Sequence, residues 1–199
     1  MDEGTHTVAP AGEPVTAIVM AGGGSRRMKT DKSLLLVNGQ TMVEHVIDQL
    51  RPHFSEILIS AQDEEKYAFT NVTVVKDFVP GRGPLIGMIS SLKAASNDLC
   101  FIQACDIPET NMVLVKKMLG CSKGYDGVAP RTDEGRLEPL FAVYRKSAIG
   151  AMEELLAMGK MRATSVLTAC NIKFVDLRKG EEIQNLNTAE QYRNYIKSR

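Results

Sequence analysis

Long apolar runs are absent from this 199-residue chain. No stretch approaches the roughly 20 residues that a bilayer-spanning helix needs. The acidic N-terminus also lacks the hydrophobic segment of a signal peptide. The chain therefore reads as cytoplasmic, with no membrane partner. Net charge is missing as well, because 24 lysines and arginines balance 24 acidic residues. Attracting nucleic acid requires an excess of positive charge, so any recognition of an anion here must be local. Cysteine is scarce and scattered. Cys100, Cys105, Cys121 and Cys170 form no C-x-x-C pair and have no histidines clustered near them. That pattern argues against a disulfide framework or a zinc site and for small buried side chains. His6, His45 and His53 lie on a tail and one helix, with no serine–histidine–acid arrangement to support acyl transfer.

What is present is a glycine–arginine loop. The apolar run Val15 to Met20 ends in Ala21 and then Gly22, Gly23 and Gly24, followed by Ser25, Arg26 and Arg27, with Lys32 five residues further on. Glycines let backbone N–H groups approach phosphate oxygens, and such a loop forms a concavity for anions. Arg26, Arg27 and Lys32 can add charge-assisted hydrogen bonds. The loop lacks the Gly-Lys-Ser/Thr ending of a P-loop, and Arg27 stands where a dinucleotide fingerprint needs its third glycine. A tight strand–helix turn with solvated arginines is the simpler alternative; the clustering of Arg-Arg-Met with Asp31-Lys32 favours phosphate.

Along the chain, residues 1–14 read as a disordered tail and residues 15–199 as one domain. Short apolar strands are expected at 15–20, 57–61, 72–76, 99–104, 127–130, 140–144 and 172–177. Leu34 to Val37 reads as an extended piece closed by the turn pair Asn38-Gly39. Helices are expected after the capping box Thr41–Glu44, from Leu85 to Ala95, 111–119, 147–158 and 164–169, and after Thr188–Gln191. A polar, helix-like stretch lies at 63–69. Continuous apolar strands alternating with helices imply a mostly parallel twisted sheet covered on both faces, and ligands bind beyond the carboxyl ends of such strands.

The suspicious residues fall at those ends. Asp106 follows a strand and faces the cationic loop. It is either a turn aspartate or, as its setting favours, a ligand for Mg²⁺, which prefers one or two carboxylates with phosphates and water. Asp77 also follows a strand, with turn and site readings evenly balanced. Pro84 suits the first turn of a helix. Gly87, one turn further in, costs about 1 kcal/mol against alanine and so suggests close approach of a ligand or backbone. Pro139, in Glu138-Pro139-Leu140, has the bland reading of an edge-strand proline. Cationic loops plus a strand-end aspartate point to phosphoryl or nucleotidyl transfer, in which a protein mainly positions groups and neutralises charge.

The segment Met20 to Met28 with Asp31-Lys32 resembles the Leu-Ala-Gly-Gly-x-Ser-x-Arg-Met-Gly-x-Asp-Lys signature of the MobA-type molybdenum cofactor guanylyltransferases. The likeness continues through Gly83-Pro84-Leu85-x-Gly87, Cys105-Asp106-x-Pro108, Glu138 to Tyr144 and Asn185-x-Asn187-Thr188. It spans residues 15–199, and the Gly-Pro-Leu and Glu-Pro-Leu-Phe-Ala segments are its discriminating parts. Lys29 replaces a glycine, Ala189 a helix-starting proline and Met20 a leucine. Ser60 stands where some members have asparagine near the base.

The resemblance implies an α/β, three-layer Rossmann-like nucleotidyltransferase fold. It also implies transfer of GMP from GTP to the terminal phosphate of molybdenum-molybdopterin, with release of pyrophosphate. Carried over, Met20, Ala21, Gly22 and Gly23 receive the nucleotide, while Arg27 and Lys32 hold the triphosphate. Ser60 and Asp77 line the nucleoside pocket, Asp106 binds Mg²⁺, and Asn185 and Asn187 lie towards the pterin. Arg27, Lys32 and Asp106 are the expected catalytic set. Proteins that deliver the molybdenum cofactor or accept the product are the implied partners, and nucleic acid is not. A CTP-dependent molybdopterin cytidylyltransferase, a sugar-phosphate nucleotidylyltransferase and a non-catalytic nucleotide-binding module are the alternatives.

Overall fold

The structure, a computed structural model, describes residues 13–22, 31–79, 83–132, 134–178 and 181–198. Most of the tail expected at residues 1–14 lies outside this set, as do Gly23, Arg27 and Lys29. In chain order the elements are β1 (Val15–Met20), β2 (Leu36–Val37), β3 (Gln40–Thr41), α1 (Met42–Leu50), β4 (Glu56–Ser60), β5 (Thr73–Val75), α2 (Pro84–Ala94), β6 (Leu99–Ala104), α3 (Met112–Gly120), β7 (Gly127–Arg131), β8 (Phe141–Arg145), α4 (Ile149–Ala157), α5 (Val166–Ala169), β9 (Ile172–Asp176) and α6 (Ala189–Lys197).

β1 and β6 are buried along their whole length. Strands covered on both faces lose the usual polar alternation and read as continuous apolar runs. They sit side by side and parallel in a seven-stranded sheet of order β5-β4-β1-β6-β8-β7-β9. The register pairs Met20 with Ala104, so both strands end at the same level. β4 and β5 continue the parallel set. β8 alone is reversed, antiparallel to both β6 and β7, and β9 runs parallel to β7.

Helices cover both faces, as the alternation of apolar strands and helices requires. One face carries α1 and α3, with Val43, Val46, Ile47, Leu50, Val115 and Met118 buried against Val19, Phe101 and Val143. The other carries α2, α4 and α5, with Leu85, Met88, Leu92, Met152 and Val166 against Ile18, Ile102 and Tyr144. Alternate residues of one strand thus feed opposite layers. α1 starts in the expected capping box, with Glu44 N–H on Thr41 Oγ1 and Thr41 N–H on Glu44 Oε2. α6 starts in a second one built from Thr188 and Gln191.

One local expectation is corrected. Leu34 closes a single 3₁₀ turn, Lys32–Leu34, instead of opening the extended piece expected at Leu34 to Val37, and only Leu36–Val37 pairs as a strand. Asp31 caps the turn by accepting the Ser33 N–H at 3.0 Å, a local bond that outcompetes extension of the apolar run. The polar stretch expected at 63–69 is likewise 3₁₀ in form, over Glu65–Thr70. Among the described residues no helix is long and apolar enough to cross a membrane. The four cysteines are free thiols.

Candidate active site

The carboxyl ends of β1 and β6 build the floor of a cleft of about 230 Å³. Ser60, at the end of β4, fixes the β1 end through its carbonyl, which accepts both the Ala21 and Gly22 N–H groups at 3.0 and 2.9 Å. From the β6 side the Cys105 N–H donates to the Met20 carbonyl at 3.0 Å. Met20, Ala21, Gly22, Lys32, Pro84 and Asp106 are among the residues lining the cleft. The expected nucleotide-loop residues within the described set and the expected metal ligand therefore share one wall.

Lys32 is the centre of the arrangement. Its Nζ donates to Asp106 Oδ2 at 2.9 Å and to Asn187 Oδ1 at 3.0 Å, with both charged side chains largely shielded. Asn187 precedes α6, and the adjoining Leu186 N–H donates to the Asp106 carbonyl at 2.8 Å. Residues 74 and 155 positions away in sequence are thus gathered on one ammonium group. The pairing keeps a cation where anionic phosphates would enter, beside a carboxylate that can share a metal with them.

A second, larger cleft of about 780 Å³ opens on the far side of Asn187. Glu138, Pro139, Glu181, Asn185 and Gln191 line it along with Asn187. Asn185 bonds Glu138, whose carboxyl is pushed above its ordinary range chiefly by burial, against the pull of Arg136 and Asn185 and with a further push from Asp106. The Glu138-Pro139-Leu140 segment is more than an edge with a proline. The Leu140 carbonyl accepts the Ala104 N–H at 2.7 Å, and the Pro139 carbonyl accepts the buried Tyr144 hydroxyl at 2.9 Å. These bonds hold the segment across the end of β6, next to Asp106.

The entry to α2 follows from its two residues. Gly83 caps the helix at φ 87°, a region that disfavours side chains, and Pro84 occupies the first turn. Gly87 is explained by close approach, but of side chains rather than of the ligand or backbone expected. A Cβ there would stand 2.6 Å from Ser60 Oγ, 2.8 Å from Met20 Cε and 3.2 Å from Asp77 Oδ1. Ser60 and Asp77 therefore meet beside Met20, against α2, and neither lines the two clefts described. Ser60 is buried, and burial raises the Asp77 carboxyl above its ordinary value, offset in part by a bond from Gln62.

Cys105 lines the smaller cleft, but burial foremost, and then the Asp106 charge, push its thiol up to about 12. A neutral buried thiol is no nucleophile at physiological pH. Gly23 and Arg27, both expected in the site, lie outside the described residues. Three residues that motif reading did not connect with the cleft are Ser33, Lys66 and Tyr67, whose bonds to Asp31 and Ala21 hold its edges. The Asp31-x-Ser33 spacing is the one sequence signal that could have revealed part of this, since it is a helix-cap pattern.

A mostly parallel sheet whose strand ends gather a cation and a carboxylate at a phosphate-sized cleft is the architecture of a nucleotidyltransferase. The chain belongs to the MobA-like NTP transferase domain family, which it matches over residues 17–171. A relative in Pelotomaculum thermopropionicum, named "Probable molybdenum cofactor guanylyltransferase", is 36% identical over 87% of this chain and 87% of its own length. The molybdenum cofactor guanylyltransferase of Desulfosudis oleivorans is 29% identical over 90% of this chain and 93% of its own. Among solved structures, the molybdopterin-guanine dinucleotide biosynthesis protein A of Archaeoglobus fulgidus superposes with a TM-score of 0.79 at 22% identity. That superposition covers 92% of this chain and 97% of the other, and it establishes the shared fold.

Proposed function

We propose that this enzyme transfers GMP from GTP to the terminal phosphate of molybdenum-molybdopterin, forming the guanine dinucleotide cofactor and releasing pyrophosphate. One observation carries the reading: Lys32 joins Asp106 in the smaller cleft to Asn187 in the larger one. A transferase between two phosphate-bearing substrates needs a cation where donor and acceptor phosphates converge. Both relatives are named as guanylyltransferases of the molybdenum cofactor, which supports a guanine nucleotide as donor and that cofactor as acceptor. Proteins that hand over the molybdenum cofactor or receive the finished dinucleotide are the partners such a role requires.

The chemistry suits these residues. The attacking group is a phosphate oxygen already ionised, so no general base is needed. It forms a bond to the α-phosphorus of GTP while the bond from that phosphorus to the bridging oxygen of pyrophosphate breaks. The obstacle is repulsion between two polyanions. Lys32, with Arg27 in the glycine loop, neutralises the donor triphosphate, and the Gly22 backbone and the α2 N-terminus leave room for its oxygens. Asn187 and Asn185 hold the acceptor end, and Ser60 and Asp77 support the nucleoside side through Met20 and α2.

The donor set fits a divalent cation. Among the described residues no group of three or more histidine, cysteine or acidic side chains is arranged to cage a metal. Asp106 offers one carboxylate beside a phosphate-sized cleft, which is what Mg²⁺ requires when it keeps its waters and binds substrate phosphates. Bound there, the ion would neutralise charge developing on the phosphate oxygens.

Thermal unfolding with GTP, CTP or ATP, each with and without Mg²⁺, tests the assignment. Stabilisation by GTP with Mg²⁺, and GTP-dependent pyrophosphate release on adding molybdenum-molybdopterin, are the expected results. A response to CTP alone would transfer the enzyme to the cytidylyltransferases. Binding without pyrophosphate release would make it a carrier.

A further inference from the structure

The two edges of the nucleotide cleft meet at a side chain outside it. Tyr67 is 1% exposed and does not line the cleft, yet its hydroxyl stands 3.2 Å from the Ala21 carbonyl and 2.8 Å from Ser33 Oγ. Ala21 is the last residue before Gly22 at the end of β1. Ser33 follows Lys32 and is itself 1% exposed. Ser33 Oγ donates to Asp31 Oδ1 at 2.6 Å, and the same oxygen accepts the Ser33 N–H. Asp31 Oδ2 is ion-paired with Lys66, the neighbour of Tyr67 on the 65–70 turn. Lys32 is thus flanked on both sides by residues that one short turn holds.

We infer that Tyr67 and Lys66 form a clasp that positions Lys32 and the Ala21–Gly22 backbone for the triphosphate of the nucleotide. The inference rests on reading this cleft as the nucleotide site. A flexible lysine offers little catalysis unless its stem is fixed, because orientation is where most of the gain lies. Lys32 Nζ is fixed at its tip by Asp106 and Asn187, but phosphates and metal must compete with those bonds. The clasp fixes its backbone independently of the ligands. It also ties that backbone to the Ala21–Gly22 end of β1, which lines the same cleft. Burial raises the Tyr67 hydroxyl above its ordinary value, so it stays protonated and able to donate. The role is one of positioning, since Tyr67 touches no cleft atom of a substrate.

The test uses the whole chain carrying Tyr67→Phe, with Lys66→Met as a second variant at a less buried position. Phenylalanine keeps the ring in the core and deletes only the hydroxyl. A lost buried hydrogen bond predicts a nucleotide KM raised about tenfold, with the acceptor KM unchanged. Hydrogen exchange on the unliganded protein should quicken at 20–22 and 31–35 while β4 and β6 keep wild-type protection. Wild-type nucleotide KM and wild-type exchange at both stems in the two variants would overturn the clasp. So would equal weakening of both substrates with faster exchange throughout the sheet, the mark of general destabilisation. The exchange measurement does not depend on the base, so a wild type that binds CTP instead of GTP removes the guanine assignment while the clasp is judged with CTP. A wild type that binds no nucleotide at all removes both.

Discussion

Replacing Gly87 by alanine separates packing behind Met20 from stability of the helix that carries the glycine. In α2 the added methyl would meet Ser60 Oγ at 2.6 Å and Met20 Cε at 2.8 Å, both closer than real contacts allow, with Asp77 Oδ1 at 3.2 Å. Two terms oppose each other in stability. Alanine improves helix propensity by about 1 kcal/mol. Overpacking a well-filled site costs roughly 1–3 kcal/mol. Because the methionine end and the serine hydroxyl can both turn aside, the lower half of that range applies. The net loss is then about 0–1 kcal/mol, or a fall in Tm of no more than about 4 °C for a chain of this size. Function should suffer more than stability. Met20 lines the smaller cleft, the proposed nucleotide site, and its end must move, so the nucleotide KM should rise about tenfold, equivalent to about 1.4 kcal/mol. The assay is initial-rate kinetics, with GTP varied at saturating acceptor and then the reverse, alongside an unfolding curve. An alanine variant with a raised Tm and nucleotide KM within about twofold of wild type would refute the steric reasoning, because only the propensity term would then be acting.

Lys32→Ala and Asp106→Ala should each keep the fold and lower kcat by at least about 10²-fold, the order expected for losing a group that stabilises transition-state charge. Circular dichroism with pyrophosphate release checks both, and near-normal turnover in either variant removes that residue from the mechanism. Asp77→Asn should alter the pH dependence of stability. Burial raises the folded-state pKa of Asp77 above its ordinary 3.8, so the folded chain binds more protons than the unfolded one between those two values. Stability contributed by this site therefore falls as pH rises through that window and stays lost above it. The variant, unable to ionise, should gain on wild type from acid to neutral pH in unfolding experiments. A difference that is flat across that range would show that Asp77 is solvated.

Much of the fold was legible because its signals are local. Buried strands announce themselves by continuous apolar runs, and the Thr41–Glu44 and Thr188–Gln191 boxes mark helix starts with side chains that bond their own backbone. Gly83, Pro84 and Gly87 could be read for the same reason, since each answers a constraint of geometry at its own position. The boundary at Leu34 was misjudged because three leucines outweighed one capping aspartate, whereas in the structure the Asp31 cap on the Ser33 N–H sets the turn. Tyr67 was invisible on other grounds. Its partners Ala21 and Ser33 are 46 and 34 residues away. A tyrosine within a polar stretch gives no hint that its hydroxyl is buried.

The direction of β8 accounts for what remained hidden in the site. Strands β1, β4 and β6 deliver their carboxyl ends to one edge, so Gly22, Ser60 and Asp106 were expected there from strand order alone. A parallel β8 would have delivered Arg145 to that edge and carried Glu138 to the opposite one. Because β8 runs antiparallel to β6, its start lies there instead, and the register pairs Phe141 with Gln103. Glu138, Pro139 and Leu140 are thereby drawn across the end of β6, where Leu140 bonds Ala104 and Glu138 feels the Asp106 charge. Apolar content marks a strand but is symmetric under reversal. The one reversed strand in this sheet supplies the wall between the two clefts, and with it the arrangement in which, on the proposed reading, donor and acceptor phosphates meet at Lys32.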